Sequence, residues 1–281
     1  MKKILRRFYT KLRFMIFKEN EFESTELCGV DLKSLKGTIR QKVDYDDAWF
    51  FYLAKHHQVI FDIGANVGYT ALLAMIQNGL RRYVLLDPNP LAIASASQNL
   101  LMNGFGMNAS FVNSFVSDKE KNKIKFYTVG TGAAGSMFAS HAKTAAKLNQ
   151  WFYVDTTTVD SLVDNYHLIP DLVKIDVEGA EYLVLEGAKA LARNQKTFFF
   201  VEMHALAEVT MEENAKNILA WCNEVSYNAW YMSEAKIMIT PEIIAHRGKC
   251  HLLLIPKEME YPLYLKGIKQ GNALPNSIER T

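Results

Sequence analysis

The chain has 281 residues, 49% of them hydrophobic and 22% charged, with a formal net charge of +2. That balance excludes a disordered or fibrous chain and supplies a sizeable core. Seven of the 32 Lys/Arg and no Asp/Glu fall in residues 1–18, so the remainder carries 25 basic against 30 acidic residues, no pervasive basic surface for nucleic acid. Cys28, Cys222 and Cys250 form no C-x-x-C pair, and no apolar run nears the ~20 residues of a membrane span. The expectation is a cytoplasmic protein without disulfides or a zinc site.

Residues 1–18, MKKILRRFYTKLRFMIFK, set Ile4, Leu5, Phe8, Leu12, Met15 and Ile16 at helical spacing and fill other positions with Lys2, Lys3, Arg6, Arg7, Lys11 and Arg13. A basic amphipathic helix of this kind can lie on the anionic inner face of a membrane as a peripheral contact. It can equally pack on the domain, or on a second copy in a homo-oligomer. Residues 19–58 read as a mixed segment ending in a helix over Asp46 to His57 that covers one side of a ligand site. His56 and His57 are expected at its solvated end.

Val59 to Ile63 is a short apolar, β-branched run, the pattern of a buried parallel strand. Gly64 and Gly68 then bracket a turn, and apolar residues at helical spacing run from Val67 to Ile76. A strand that breaks at glycine into a helix brings unpaired N–H groups against a small molecule. A dinucleotide fingerprint would want glycine at 66 and 69, where this chain has Asn66 and Tyr69, and the Lys-Ser/Thr of a phosphate loop is missing. Asp62, a carboxylate inside the turn, would repel a pyrophosphate but suits a ligand with an ammonium group and no phosphate. S-adenosylmethionine is such a ligand.

Tyr83 to Asp87 repeats the buried strand and ends in an acid about ~20 residues beyond the glycine turn, where a carboxylate takes two ribose hydroxyls. Asn89 as N-cap and Pro90 at the first helical position start the next helix, which fades near Asn103-Gly104. Ala109 to Asn113 reads as the third strand, with Asn113 and Ser114 at the adenine pocket. Lys123 to Val129 alternates as a strand attached to the sheet edge. Gly130 to Gln150 is long and rich in small residues, and is expected to border the acceptor site through Ser136 and His141.

Phe152 to Thr157 returns as a strand, followed by a short helix from Thr158. Asp171 to Val177 is the fourth core strand, with Asp176 at its carboxyl end and a helix from Ala180 to Leu191 behind it. Thr197 to Val201 is a fifth strand, with Glu202 and His204 at its exit. Thr210 to Glu213 is a capping box opening a helix through Trp221. Val225 to Met232 and His251 to Ile255 are the last two strands, and the tail from Pro256 reads as polar and peripheral.

With FDIGANVGYT at 61–70, LDPNP at 86–90, TTTVDSL at 156–162, KIDVEGAEYLVLEGA at 174–188 and VEMH at 201–204, the chain resembles the FkbM-type methyltransferases, within the class I S-adenosylmethionine-dependent enzymes. Asp87 stands where that family more often has Glu; the shorter arm still reaches hydroxyls. The resemblance implies an α/β, doubly wound, mostly parallel seven-stranded sheet, the class I methyltransferase Rossmann-like fold, preceded by a helical N-terminal extension. The domain would span residues 51–257, between an extension at 1–50 and a tail at 258–281. It also implies O-methylation of a sugar, glycoconjugate or related small molecule. The basic helix would place such an acceptor near the inner membrane, as in a lipid-linked glycan.

Cofactor contacts are expected from Asp62, Gly64, Asn66, Gly68, Asp87, Pro88, Asn113, Ser114 and Asp176. Methyl transfer to an alcohol needs alignment and a base for the hydroxyl proton. His204 is the expected base or hydroxyl-orienting group, assisted by Glu202, with Asp176 on the methionine and acceptor side and Glu178 facing the substrate. Lys174 and Glu181 read as structural partners. No metal is required; if a divalent ion were used, Asp176 and Glu202 would hold Mg2+. The alternatives are an RNA or protein methyltransferase, disfavoured by the acidic body, and a silent scaffold, which would have a damaged cofactor loop.

Overall fold

The computed structural model describes residues 22–40, 42–120, 122–129, 135–140 and 142–276. The basic helix expected at 1–18 and His141 lie outside the described residues. The chain begins with a hairpin, β1 (Phe22–Leu27) and β2 (Val30–Leu35), then α1 (Asp47–His56), β3 (Val59–Ile63) and α2 (Tyr69–Met75). It continues through β4 (Arg82–Leu86), α3 (Pro90–Met102), β5 (Ala109–Val112), β6 (Phe115–Val116), β7 (Lys123–Tyr127) and α4 (Lys143–Lys147). Next come β8 (Trp151–Thr157), α5 (Val159–Tyr166), β9 (Leu172–Ile175), α6 (Glu181–Glu186) and α7 (Lys189–Asn194). The last elements are β10 (Phe198–His204), α8 (Met211–Val225), β11 (Tyr227–Tyr231), β12 (Lys236–Ile237) and β13 (Lys249–Pro256).

The central sheet runs β5-β4-β3-β9-β10-β13-β11-β12. β5, β4, β3, β9 and β10 are parallel, and β13 runs antiparallel between β10 and β11. This is the expected doubly wound Rossmann-like α/β fold. The sheet has eight strands rather than seven, because the two-residue β12 adds an edge to β11. The strand order reverses between β3 and β9, so the carboxyl ends of these strands open a crevice.

Side chains alternate across the sheet. Phe61, Ile63, Val173, Ile175, Phe199 and Val201 pack with Leu162, Val184, Leu191 and Trp221 of α5 to α8. Ile60, Tyr83, Leu172 and Phe200 pack on the other face with Trp49, Phe50, Leu72 and Leu100 of α1 to α3. Among the described residues no helix is long and apolar enough to cross a membrane.

Several expectations are corrected. Lys123 to Tyr127 does not extend the central sheet; it pairs with β8 in a separate three-stranded sheet, β6-β8-β7. Its inward Phe126 needs a core, and finds one with Phe115 and Val154. The helix expected from Ala180 to Leu191 breaks at Gly187, where a Cβ would stand 2.2 Å from the Ser117 carbonyl; α7 then restarts with its Ala190 and Leu191 N–H groups donating to Asp160. Glu202 and His204 lie within β10, since β13 pairs with that strand as far as His204. The tail is not peripheral: Tyr261 and Leu265 are buried, and the Trp49 indole donates to the Ile268 carbonyl at 2.9 Å.

His57 is buried, not solvated, and donates from Nδ1 to the Leu53 carbonyl at 2.7 Å. Below it, the buried guanidinium of Arg81 donates to the carbonyls of Ala54, His57 and Ala74. They lie at the C-terminal ends of α1 and α2, where positive charge is favoured; the Ala54 and Ala74 carbonyls also accept from the His57 and Gln77 N–H groups. Replacing Arg81 with Met strands the buried His57 carbonyl, worth about 1–3 kcal/mol, and removes the second donor from the Ala54 and Ala74 carbonyls, which keep a backbone N–H. The expected outcome is a loss of about 2 kcal/mol or more in urea unfolding; a loss within the ~0.5 kcal/mol of an ordinary surface change would contradict the staple.

Candidate functional site

Three strand ends meet at the carboxyl edge of the sheet. Gly64 follows β3 and Asp176 follows β9; Asp87 follows β4. The Gly64 and Ala65 N–H groups donate to the Leu86 carbonyl, and the Asp176 N–H donates to the Ile63 carbonyl, which locks the three turns together. Gly64 has φ +84°, and a Cβ there would lie 1.8 Å from the Asp176 carbonyl oxygen. Only glycine fits. Asn66 also takes a left-handed φ of +48°, a conformation asparagine tolerates, and this turns its N–H to the Asp87 carboxylate at 2.9 Å.

Asp87 receives a second backbone N–H, from Asn89, at 2.8 Å. Burial outweighs these two donors and pushes its carboxyl up to about 6. It faces a cleft of about 650 Å³, counted to its open mouth, with Ile63, Leu86, Pro88, Phe115, Val116 and Phe126 among its walls. Asn66 and Ser114 also line it. The Ser114 hydroxyl donates to the Asp155 carbonyl, and Asn113 donates to the carbonyls of Asp87 and Pro88. Both therefore shape the wall around Asp87.

A second cleft, of about 670 Å³, is lined by Thr38, Arg40, Tyr69, Thr70 and Lys174, and it shares Gly64, Asn66 and Asp176 with the first. Asp62 lines neither. Its carboxylate accepts from Thr70 Oγ1 at 2.6 Å and Tyr83 OH at 2.8 Å, and it lies 3.5 Å from Lys174 Nζ. The carboxylate expected to meet a ligand ammonium thus turns Oδ2 to two hydroxyls and Oδ1 towards Lys174. Gly68, with φ +82°, starts α2 against Ala96 of α3.

Lys174 is buried between Asp62 and Asp176, 3.5 Å from each. Burial alone would lower its pKa, but the two carboxylates raise it. Asp176 is opposed by burial yet held below the ordinary carboxylate range by Lys174, with help from His204, Lys249 and His251. It is an anion, 28% exposed, at the seam between the two clefts.

His204 sits among acids. Its Nδ1 is 2.8 Å from Glu181 Oε1, and its Nε2 is 3.2 Å from Glu178 Oε2 and 3.8 Å from Glu202 Oε1. Burial works against the charge, but the hydrogen bond to Glu181 and the fields of Glu181, Glu178 and Asp176 prevail and push the imidazole up to about 9. Such a ring is a cation at neutral pH and has no lone pair with which to take a proton. The residue expected as base or hydroxyl-orienting group is thus anchored on Glu181 and Glu178. Glu202 is buried and ion-paired with Lys249. Glu178, at φ +53°, is held in a strained conformation that directs its carboxylate to His204 while it lines the first cleft. Ser136 is buried and donates to the Glu178 carbonyl at 3.2 Å, supporting that turn from behind.

The sequence reading missed Thr38, Arg40 and Tyr69 of the second cleft, and the pair Asp46 and His251 beside Glu202. Thr38 and Arg40 belong to no motif. His251 did leave a signal, a polar residue in the apolar run HLLLI.

The profile of the "Methyltransferase FkbM domain" matches residues 62–229. No curated protein matches the chain. Among solved structures it is similar to the methyltransferase FkbM of Methylobacillus flagellatus KT, with TM-score 0.43 and 16% identity over 78% of this chain. The chain spans 45% of the length of that protein. It is similar to TYW2 of P. horikoshii in complex with MeSAdo, with TM-score 0.44 and 10% identity over 85% of this chain and 71% of that one. The O-methyltransferase from Bacillus cereus in complex with SAH matches with TM-score 0.40 and 14% identity, over 74% of this chain and 79% of that one.

Because a Cβ at residue 64 would collide with the backbone of the neighbouring strand end, Gly64→Ala must separate β3 from β9 at the crevice. We expect a loss of at least about 2 kcal/mol, read as a lower urea midpoint. An unchanged midpoint would show that the close approach of Gly64 to Asp176 is not required.

Proposed function

The chain belongs to the FkbM methyltransferase family, and on that premise we propose that it transfers the methyl group of S-adenosylmethionine to a hydroxyl of a sugar, glycoconjugate or related small molecule. The observation that carries the reading is the pair of clefts joined at Gly64 and Asp176. One has an apolar, aromatic wall with a buried acid that suits a nucleoside. The other is polar and suits a hydroxylated acceptor.

The fit to an adenosyl ligand rests on Asp87. Its two oxygens are fixed by backbone N–H groups, and its raised pKa marks a buried carboxylate that gains from two hydroxyl donors. Phe115, Val116 and Phe126 offer apolar surface for a base. When bound, the cofactor supplies an electrophilic methyl on a sulfonium; the carbon–sulfur bond breaks as the carbon–oxygen bond forms, and the electron pair leaves on sulfur. Asp176 accepts the hydrogen bond of the acceptor hydroxyl, orients its lone pair, and takes up the proton as the oxygen–methyl bond forms. His204 is a positioning residue: as a cation it fixes Glu178 and Glu181 and, with Lys174, keeps Asp176 ionised. Glu202 supports this edge through Lys249.

Calorimetric titration with S-adenosylhomocysteine tests the reading. We expect saturable one-site binding, weakened at least about tenfold in Asp87→Asn, a loss of roughly one charged hydrogen bond. Asp87 is a better control than Asp62, whose removal would strand Lys174. The ionised form of Asp87 is the binding form, and its pKa lies near 6, so affinity should be full above that pH. It should fall about tenfold by pH 5, where roughly nine-tenths of the carboxyl is protonated. No binding by the unsubstituted protein at neutral pH would overturn the reading.

A further inference from the structure

Beside Glu202 lie two chemistry-bearing residues, Asp46 and His251, that the methyl-transfer reading leaves unused. Asp46 precedes α1, Glu202 lies on β10, and His251 lies opposite Glu202 on β13. All three are buried. His251 Nε2 stands 3.8 Å from Asp46 Oδ2 and 3.8 Å from Glu202 Oε1, and the three donor atoms all lie within 4.8 Å of one another.

Two features lack an ordinary structural explanation. His251 is only 2% exposed, yet neither ring nitrogen has a hydrogen-bond partner among the described residues. Buried polar atoms are nearly always satisfied. Its ring is oriented by packing, stacked on Phe200 and tilted against Trp49, with centroids 5.6 Å away in both cases. That packing sends Nε2 between the two carboxylates. Asp46, in turn, occupies the N-cap of α1, where an aspartate side chain normally accepts from the first turn, but it makes no cap hydrogen bond.

We propose that Asp46, Glu202 and His251 hold a divalent transition-metal ion of the Mn2+ or Zn2+ class. An ion bound by imidazole and carboxylates lies ~2.0–2.2 Å from each donor atom; His251 Nε2 is 3.8 Å from each carboxylate oxygen and the two oxygens lie within 4.8 Å of one another, so side-chain shifts of roughly a few tenths of an ångström at most would close the three donors on an ion. Two buried carboxylates about one imidazole, offset by a single half-exposed lysine on Glu202, are an expensive arrangement without a further cation. The imidazole donor selects against Mg2+, which prefers oxygen, so both the ion and the ligand set differ from Mg2+ on Asp176 and Glu202. The neighbouring triad of Asp176, Glu202 and His204 is a poorer candidate because His204 is engaged with Glu181 and Glu178. The charged groups about the site are Asp176, His204 and Lys249 near His251, and Lys174 and Arg40 near Asp46. Lys249 is the competitor: its ammonium meets Glu202, but its side chain is 52% exposed and free to swing away. Glu202 and Asp176 approach each other within the same 4.8 Å limit, so an ion on Glu202 stands beside the cleft that would take the acceptor. Its use there, to bind and acidify the acceptor hydroxyl, rests on the methyltransferase reading; the site itself does not.

The test is Mn2+ titration of the whole protein without cofactor, followed by electron paramagnetic resonance. We expect one equivalent bound, a nitrogen hyperfine coupling from a histidine ligand, and tighter binding in Lys249→Met. His251→Gln and Glu202→Gln should each weaken binding by more than about tenfold, since loss even of a supporting partner costs that much. Binding of S-adenosylhomocysteine to His251→Gln reports that the variant is folded. Failure of the unsubstituted protein to bind Mn2+ or Zn2+ overturns the proposal, as does binding only after Lys249 is removed, or binding that a folded His251→Gln variant retains. Retained metal binding with no binding of S-adenosylhomocysteine would uphold the site and sink the methyltransferase reading.

Discussion

The carboxyl edge of the sheet depends on one buried ammonium. Lys174 of β9 lies beside Asp62 of β3 in the parallel register and reaches forward to Asp176. Lys174 and Asp62 are buried and carry a large desolvation penalty, and breaking such a buried pair commonly costs about 3–5 kcal/mol. The arrangement persists because each member has further partners. Thr70 and Tyr83 donate to Asp62, and Asp176 is partly exposed to the clefts. The lysine thereby ties the first and fourth parallel strands together at the point where the sheet order reverses and a ligand crevice opens. It also sets the chemistry of that crevice, because it determines the charge of the one carboxylate that faces both halves.

Two acids of similar sequence context are driven in opposite directions by this geometry. Asp87 and Asp176 both follow apolar strands, but Asp87 has only backbone N–H groups around it and is pushed up to about 6, while Asp176 has Lys174 and is held down. Paired groups with diverging pKa values divide labour in many sites. An acid that is poorly solvated and easily protonated gains most from neutral hydroxyl donors. An acid held firmly ionised can orient a proton-bearing acceptor and face a positive centre. The assignment of nucleoside to one cleft and acceptor to the other therefore rests on electrostatics as well as on shape.

Apart from the two-residue β6 and β12, the strands from Val59 to Ile255 were readable in the sequence because they are short apolar runs bounded by Gly, Pro, Asn and Asp. The helix starts at Asn89, Thr158 and Thr210 were readable from their caps, and each side chain does accept from the first turn. What escaped has a common physical cause. The hairpin of residues 22–35 alternates weakly, since its outer face is solvated, and its place is set by Asn99 and Asn103 of α3, which bond to Leu35 and Lys33. Asp62 was legible as an acid in the cofactor turn, but its commitment depends on Tyr83 and Lys174, 21 and 112 positions further along the chain. The same holds for His204, whose character follows from Glu181, a residue on a helix that the sequence places in another unit.

The two histidines at this edge show how little the residue type decides. His204 and His251 lie on adjacent antiparallel strands, and both are near Glu202. One faces three glutamates and is charged. The other lies between Trp49 and Phe200, where burial drives its pKa down and keeps the ring neutral. A neutral imidazole with a free lone pair can bind a metal or accept a proton; an imidazolium anchored on glutamates can only orient its neighbours. The acidic shell that holds the charge on His204 is built by α6 and the strained turn at Glu178, whereas the aromatic walls of Trp49 and Phe200 leave both nitrogens of His251 without a hydrogen-bond partner among the described residues.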